Sequence, residues 1–364
     1  MADGAAVIRR ARGGVAAAAA AAAVLAASLL ATASALALGG YHPLTAGAAL
    51  AAGAFGSVDA VLSVTLVRAV PLVLTGLAVT LAFRAGVWNI GAEGQLYAGA
   101  LLATWVGLAG AGLPAALHLP LLLLAAALGG ALWAAVPALL RVRRGVSEVI
   151  TTLLLNFVAV NLASLAVRGP LQESRGVFPQ SDPIAAGARL PTLWTGTRLH
   201  WGFVLAVLLA ALLAWVLART AVGFRLRAVG SSPAAARVAG RIAVGPVTLA
   251  TFLASGALAG LAGGVEVAGV TYALYEGLSP GHGYTAIAVA LLAGLNPLGV
   301  IAAGILFGGL EGGAGAMQRS AGVPAAWVRA VEALVILAAL ALDRGVRRIR
   351  SGAGAEPPDA EVEP

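Results

Sequence analysis

The residues able to do chemistry in this chain are few, and they fall in islands between apolar stretches. Residues 86–95 (GVWNIGAEGQ) place Asn89, Glu93 and Gln95 among three glycines. Such a patch reads as a broken helix, and irregular backbone in lipid is tolerated only where it is buried in protein or lines a cavity. The competing reading is a tight cytoplasmic turn with Glu93 solvated or capping the next helix. Residues 145–157 hold a second island, in which Glu148, Thr152 and Asn156 recur at i, i+4 and i+8 and so form one helical stripe. A stripe of this kind lines a pathway or glues two helices together. In the third island Ser232 suits an N-cap, Pro233 the first helical position and Gly240 a C-terminal stop. Between them Ala234, Ala235, Ala236, Val238 and Ala239 make a small-residue face, fit either for a groove in another protein or for lipid headgroups.

The fourth island repeats glycine at 256, 260 and 264, a close-packing stripe, and leads to Glu266, an acid that needs water, a partner or a neutralised state. A fifth, residues 272–284, gathers Tyr272, Tyr275, Glu276, His282 and Tyr284 in one outer loop. Aromatic side chains there fit an interfacial belt, and a lone histidine is more often a hydrogen-bonded loop residue than a ligand.

These islands must be carried by membrane helices. Of 364 residues 60% are apolar and 10% charged, with a formal net charge of +8 and a mean hydropathy of +0.94. Charge-free runs near the ~20 residues that cross ~30 Å of hydrocarbon mark an integral membrane protein and exclude a nucleic-acid binder of similar basicity. Every basic residue is arginine. Without lysine there is no GxxxxGK[ST] loop, and without cysteine no disulfide or thiolate metal site. Spacing of His42, His118, His200 and His282 fits no metal motif, so no metal site is expected.

Apolar stretches at 15–38, 61–83, 89–111, 115–140, 148–167, 200–218, 247–268, 283–295, 297–316 and 324–342 give about ten spans in an all-α polytopic chain. The first is too long for a signal-peptide core and is read as a retained span. With a cytoplasmic tail at 1–12, a membrane domain at 13–343 and a disordered cytoplasmic tail at 344–364, the arginines of 9–12, 84, 141–144, the loop 219–246 and the C-terminal tail lie inside. Arg168, Arg175, Arg189, Arg198 and Arg319 lie outside, mostly in a long loop that the positive-inside rule weights weakly. Residues 39–60 suit a partly inserted outer segment.

Residues 86–95, residues 147–152 with Asn156, residues 281–292 (GHGYTAIAVALL) and residues 296–299 together resemble the permease subunits of ABC importers for nucleosides and simple sugars, a group that includes branched-chain amino acid permeases. The match runs in order from about 61 to 342 and is most similar to the nucleoside-type branch. Val146 departs from the polar residue expected there. The resemblance implies a type II importer fold of about ten helices, with broken helices, in the bacterial inner membrane. It also implies a second permease, identical or homologous, a cytoplasmic ABC ATPase that binds ATP and Mg, and an external substrate-binding lipoprotein, with no cofactor in this chain and no enzyme activity of its own. In that family's plan Ser232 to Gly240 occupies the place of the coupling helix, which favours docking to the ATPase over lipid. Asn89, Glu93, Gln95, Glu148, Asn156 and Glu266 become candidates for the pathway of a nucleoside, or alternatively a simple sugar, with Glu311 a weaker one. The rival reading is a proton-coupled carrier using Glu93, Glu148 and Glu266 as proton sites.

Overall fold

A computed structural model describes residues 30–110, 112–238 and 240–324, with residues 327, 330, 333 and 334. The expected spans over 15–38 and 324–342 lie largely outside these residues. The tails at 1–12 and 344–364 and Ala239 lie wholly outside them.

The described residues are helical apart from loops and two isolated β-bridges. In chain order the helices are α1 (Pro43–Phe55), α2 (Ala60–Arg84), α3 (Ala92–Ala109), α4 (Ala115–Arg144), α5 (Glu148–Val167), α6 (Gly202–Arg219), α7 (Ala221–Ser231), α8 (Pro233–Val238), α9 (Val244–Thr271), α10 (His282–Leu292) and α11 (Pro297–Ala321). Six of them, α2, α4, α5, α6, α9 and α11, are long and apolar enough to cross a membrane. Helix α3 has the length, 18 residues, but Glu93 and Gln95 dilute its first turns. Helix α10 has only 11 residues.

Two compact units divide the chain, residues 51–313 and the described residues on either side of them. In the flanking unit Leu36, Ala46, Ala314, Met317 and Val323 form a core, with the Tyr41 and Trp327 rings edge to face at 6.4 Å.

The larger unit is built on α3, α4 and α9, whose backbones touch at glycine. A methyl added at Gly260 would lie 2.3 Å from the Ala126 carbonyl oxygen, one at Gly130 2.0 Å from that of Gly256, and one at Gly99 2.2 Å from that of Gly260. The four-residue glycine period therefore serves close helix packing, as expected, with Gly130 on α4 facing it and Gly129 facing Ala98 and Gly99 on α3. Helix ends follow local rules. Gly145, at φ +66°, ends α4 by donating its N–H to the Arg141 carbonyl, and three arginines in the last turn complement the helix dipole. Thr220 caps α7 by accepting from Gly223 N–H at 3.1 Å.

Candidate functional site

Two membrane crossings are broken, and they meet. The first break is the stretch 85–91 between α2 and α3. Gly86 supplies a left-handed turn at φ +71°, after which the chain runs without helix to Ala92. Its polar groups are tied internally. Asn89 donates from Nδ2 to Gln95 Oε1 (3.0 Å) and Ser255 Oγ (2.9 Å), while its Oδ1 accepts from Gln95 Nε2 (3.0 Å) and Gly91 N–H (3.0 Å). Asn156 spans the break from α5, accepting from Gly94 N–H at 2.8 Å and donating to the Ile90 carbonyl at 2.9 Å. Thr152 Oγ1 accepts from Ile90 N–H at 3.3 Å. Asn89, Gln95, Thr152 and Asn156 are all buried. The break thus faces protein, and the stripe on α5 binds it in place.

The second break precedes α10. At 1.5 Å per residue α10 is only about 16 Å long, and Arg84 Nε, donating to the Leu295 carbonyl at 2.9 Å, pins its far end level with the end of α2. Half of a ~30 Å hydrocarbon core is about 15 Å, so His282 begins α10 near the midplane. The other half of that crossing is the irregular stretch 272–281.

The two N-termini abut at Glu93. A methyl on Gly283 would lie 2.2 Å from Glu93 N and 2.5 Å from its Cα, so only glycine permits the approach. Glu93 sits in the first turn of α3 and its Oε2 accepts from Gly283 N–H at 2.7 Å. One carboxylate therefore faces the positive ends of both helices. It is 3% exposed, which sets aside the solvated-turn reading. Tyr97 fastens the descending stretch to α3, its hydroxyl accepting from Ser279 N–H at 3.1 Å.

Beside this junction lies a group of ionisable side chains. His282 Nε2 is 3.3 Å from Glu311 Oε2, which is 3.9 Å from Arg68 Nη1. Glu266 closes the α-helical part of α9, where the backbone widens into a π-helical turn at Val267–Thr271; π-turns often occur at functional positions. Glu148 is apart from these, at the arginine-rich end, with Oε2 3.1 Å from Arg141 Nε. The structure thus brings Glu93 close to the Asn89, Gln95 and Asn156 network and leaves Glu148 and Glu266 outside it.

Three residues missed as site candidates stand out by position. Tyr284 is 40% exposed one residue beyond the midplane junction, and Tyr275 is 37% exposed above it. Glu276 accepts from Ser164 Oγ at 2.8 Å and pairs with Arg168 at the end of α5. Asn161, exposed on α5 three residues before Ser164, donates from Nδ2 to the Phe157 carbonyl at 2.7 Å, so α5 meets the stretch 272–284 in a polar seam at Ser164 and Arg168. A tyrosine next to Gly-His-Gly in an apolar run was the available signal; the belt reading concealed it.

Ser232 Oγ accepts from Ala235 N–H at 3.3 Å, capping α8 as expected. The residue that turns left-handed after it is Arg241, at φ +48°, and not Gly240. Helix α7 joins α8 to the first break: a methyl on Gly230 would lie 2.2 Å from the Arg84 carbonyl oxygen.

Apolar helices with two buried discontinuities define a multi-pass membrane protein. Residues 61–340 match the family described as branched-chain amino acid transport system / permease component, and the chain belongs to it. Over 287 residues it is 44% identical to the glucose ABC transporter permease protein of Haloferax volcanii, covering 76% of this chain and 75% of that one. It is 40% identical over 316 residues to the guanosine ABC transporter permease protein of Bacillus subtilis, covering 85% and 89%. Against the nucleoside ABC transporter permease protein of Lactococcus lactis the identity is 32% over 306 residues, 82% and 83% of the two chains. No solved structure matches. The protein is therefore an ABC transporter permease of the nucleoside and sugar family, a family that is not itself catalytic.

Proposed function

We propose that the chain forms one half of an ATP-driven importer that passes a nucleoside inward by alternating access, with the seam of Tyr284, Tyr275, Asn161 and Glu276 as its wall of the path. The observation that carries this is Tyr284, exposed near the midplane. A phenol facing hydrocarbon is disfavoured, so this face fits a water-filled path with a second permease opposite. Stacked rings and hydroxyl partners suit a flat base with its ribose. A simple sugar is the second reading, favoured by the glucose relative at 44% identity.

The buried residues Asn89, Gln95 and Asn156 then support the path, with Glu93 at its gate. The further parts of the proposal are a type II fold of about ten helices, cytoplasmic termini, a partner ATPase that supplies ATP and Mg, and an external binding lipoprotein. Closure of that ATPase on α8 would rock the bundle by differential binding, with no reaction in this chain. Uptake of radiolabelled guanosine and glucose is compared in strains with and without the gene, alongside purification of the tagged chain. Loss of guanosine uptake and recovery of an ATPase support the reading. Loss of glucose uptake alone moves the substrate to sugars, and pH-driven uptake with no ATPase recovered brings the proton-coupled carrier forward.

A further inference from the structure

His282 is the first residue of α10 and is only 5% exposed, yet its ring has a single partner among the described residues. Its Nε2 lies 3.3 Å from Glu311 Oε2 on α11, and its Nδ1 bonds to no protein group. The tautomer and charge of the ring therefore rest on Glu311. The backbone beside it is held from another side, since Gly283 N–H donates to Glu93 on α3 at 2.7 Å. The start of α10 thus sits between two carboxylates, one at a side chain and the other at a backbone amide, just after Gly281 in the left-handed region at φ +109°.

The charges around the ring do not balance without a proton. Glu311 faces it from α11, Glu266 from α9 and Glu93 from α3. Arg68 of α2 faces Glu311 and Glu266, and Arg198 at the end of the loop 168–200 faces Glu266. Tyr97 and Tyr284 stand beside Glu93, and Tyr275 beside Glu266, as neutral phenols. Three carboxylates thus meet two guanidinium groups, and uncompensated charge is costly away from water. An imidazolium at His282 brings the set to neutrality, and imidazole takes a proton more readily than a carboxylate by about two pH units in water. The positive end of α10 opposes a cation there, but it amounts to about half a charge, against a full charge on Glu311 in direct contact.

We propose that His282 binds a proton against Glu311, and that the resulting ion pair fixes the start of α10 and so positions Gly283 N–H against Glu93. His282 is then a positioning residue that acts on the gate through its neighbour. The consequence for transport rests on the reading of Glu93 as the gate; the proton site does not. The pair exists only while the ring carries its proton, so the stabilisation it gives is complete in acid and is lost as pH rises through the ring's own titration.

The test uses the full chain with isotope-labelled histidine in detergent micelles, followed by nuclear magnetic resonance between about pH 5 and 9. The chain has four histidines, so the ring signal missing from His282→Gln identifies residue 282. A ring doubly protonated at the acid end, with its proton affinity reduced roughly tenfold or more in Glu311→Gln and less in Glu266→Gln, supports the site. Melting curves test the positioning: the margin of the parent over His282→Gln should be wider below the ring's titration than above it. Should His282→Gln aggregate, Glu311→Gln replaces it in the melting comparison, and the ring is assigned by substituting the other three histidines in turn. A ring that stays neutral throughout, or an affinity unchanged in Glu311→Gln or reduced equally in Glu266→Gln, overturns the proton site. Equal melting margins on both sides of the titration overturn the positioning role. Neither measurement involves transport, so the gate reading stands or falls separately.

Discussion

Gly283→Ala tests the junction of the two helices directly. The added methyl would sit 2.2 Å from Glu93 N, 2.5 Å from Glu93 Cα and 2.7 Å from the Ala92 carbonyl carbon, where 3.4–4 Å is ordinary contact. All three obstacles are backbone, so no side chain can swing aside, and α3 and α10 must separate by more than 1 Å. That separation also stretches the 2.7 Å bond from Gly283 N–H to Glu93. Overpacking costs about 1–3 kcal/mol and a lost buried hydrogen bond about 1–3 kcal/mol, against a gain of up to about 1 kcal/mol for alanine over glycine in a helix. The net is roughly 1–6 kcal/mol, or roughly 2–24 °C in melting temperature by the scaling for soluble domains of 150–250 residues. The assay is thermal melting of the detergent-purified protein beside uptake in cells, with Gly47→Ala as the partner variant. Gly47 lies in α1 with nothing within 4 Å of the added methyl, so its substitution should leave the melting temperature unchanged or raise it. If Gly283→Ala melts with the parent protein and transports normally, the helices do not meet as described.

Tyr284→Ala should reduce uptake at least tenfold while the protein inserts and melts like the parent, because the side chain is exposed; initial-rate uptake and the melting curve together check it. Ala235→Glu on exposed α8 should abolish transport and copurification of an ATPase without lowering the amount of inserted protein. In the loop 168–200, hydrogen bonds from Gln180 and Phe178 hold the Glu173 carboxyl below its ordinary range, and those from Ser174 do the same for Asp182. Folded-state values that are depressed give stabilisation that is complete above the unfolded value near ~4 and lost as pH falls through the folded value. Protease resistance of this loop should therefore be constant from pH 8 to 6 and fall only in acid, and the acid loss should be smaller in Asp182→Asn.

Much of the helix plan was legible, because apolar length alone places α2, α4, α5, α6, α9 and α11. The first break was legible too: Asn89, Glu93 and Gln95 among glycines are incompatible with a lipid-facing helix. What they bond to was not. Asn89 reaches Ser255, 166 residues on, and Glu93 reaches Gly283, 190 residues on, and no local periodicity encodes such pairings. The stripe Glu148, Thr152 and Asn156 was visible as a stripe, but whether it lines a path or binds a neighbour depended on the break it faces. Tyr284 was obscured for the opposite reason, since tyrosine at an outer boundary has an ordinary explanation, and only the shortness of α10 moves it to the midplane.

The contacts from α8 to the junction run almost entirely through backbone. Helix α8 follows α7 after one residue, Ser232. Gly230 of α7 rests on the Arg84 carbonyl, and Gly86 lies 3.2 Å, measured from an added methyl, from Gly230 Cα. Past Gly86 the stretch is held by Asn89 and Asn156, and it ends at Glu93 against Gly283. Contacts without side chains have little room to yield, so a displacement of α8 has few ways to be absorbed before it reaches α10. Spatial continuity alone does not establish coupling. Gly230→Ala supplies the measurement: its methyl, 2.2 Å from the Arg84 oxygen, should depress uptake while an ATPase still copurifies. Combined with Gly283→Ala, the loss in uptake should be less than the product of the two single losses, as for two breaks in one line. Multiplicative losses would mean that the two glycines act separately and that α8 reaches the seam by another route.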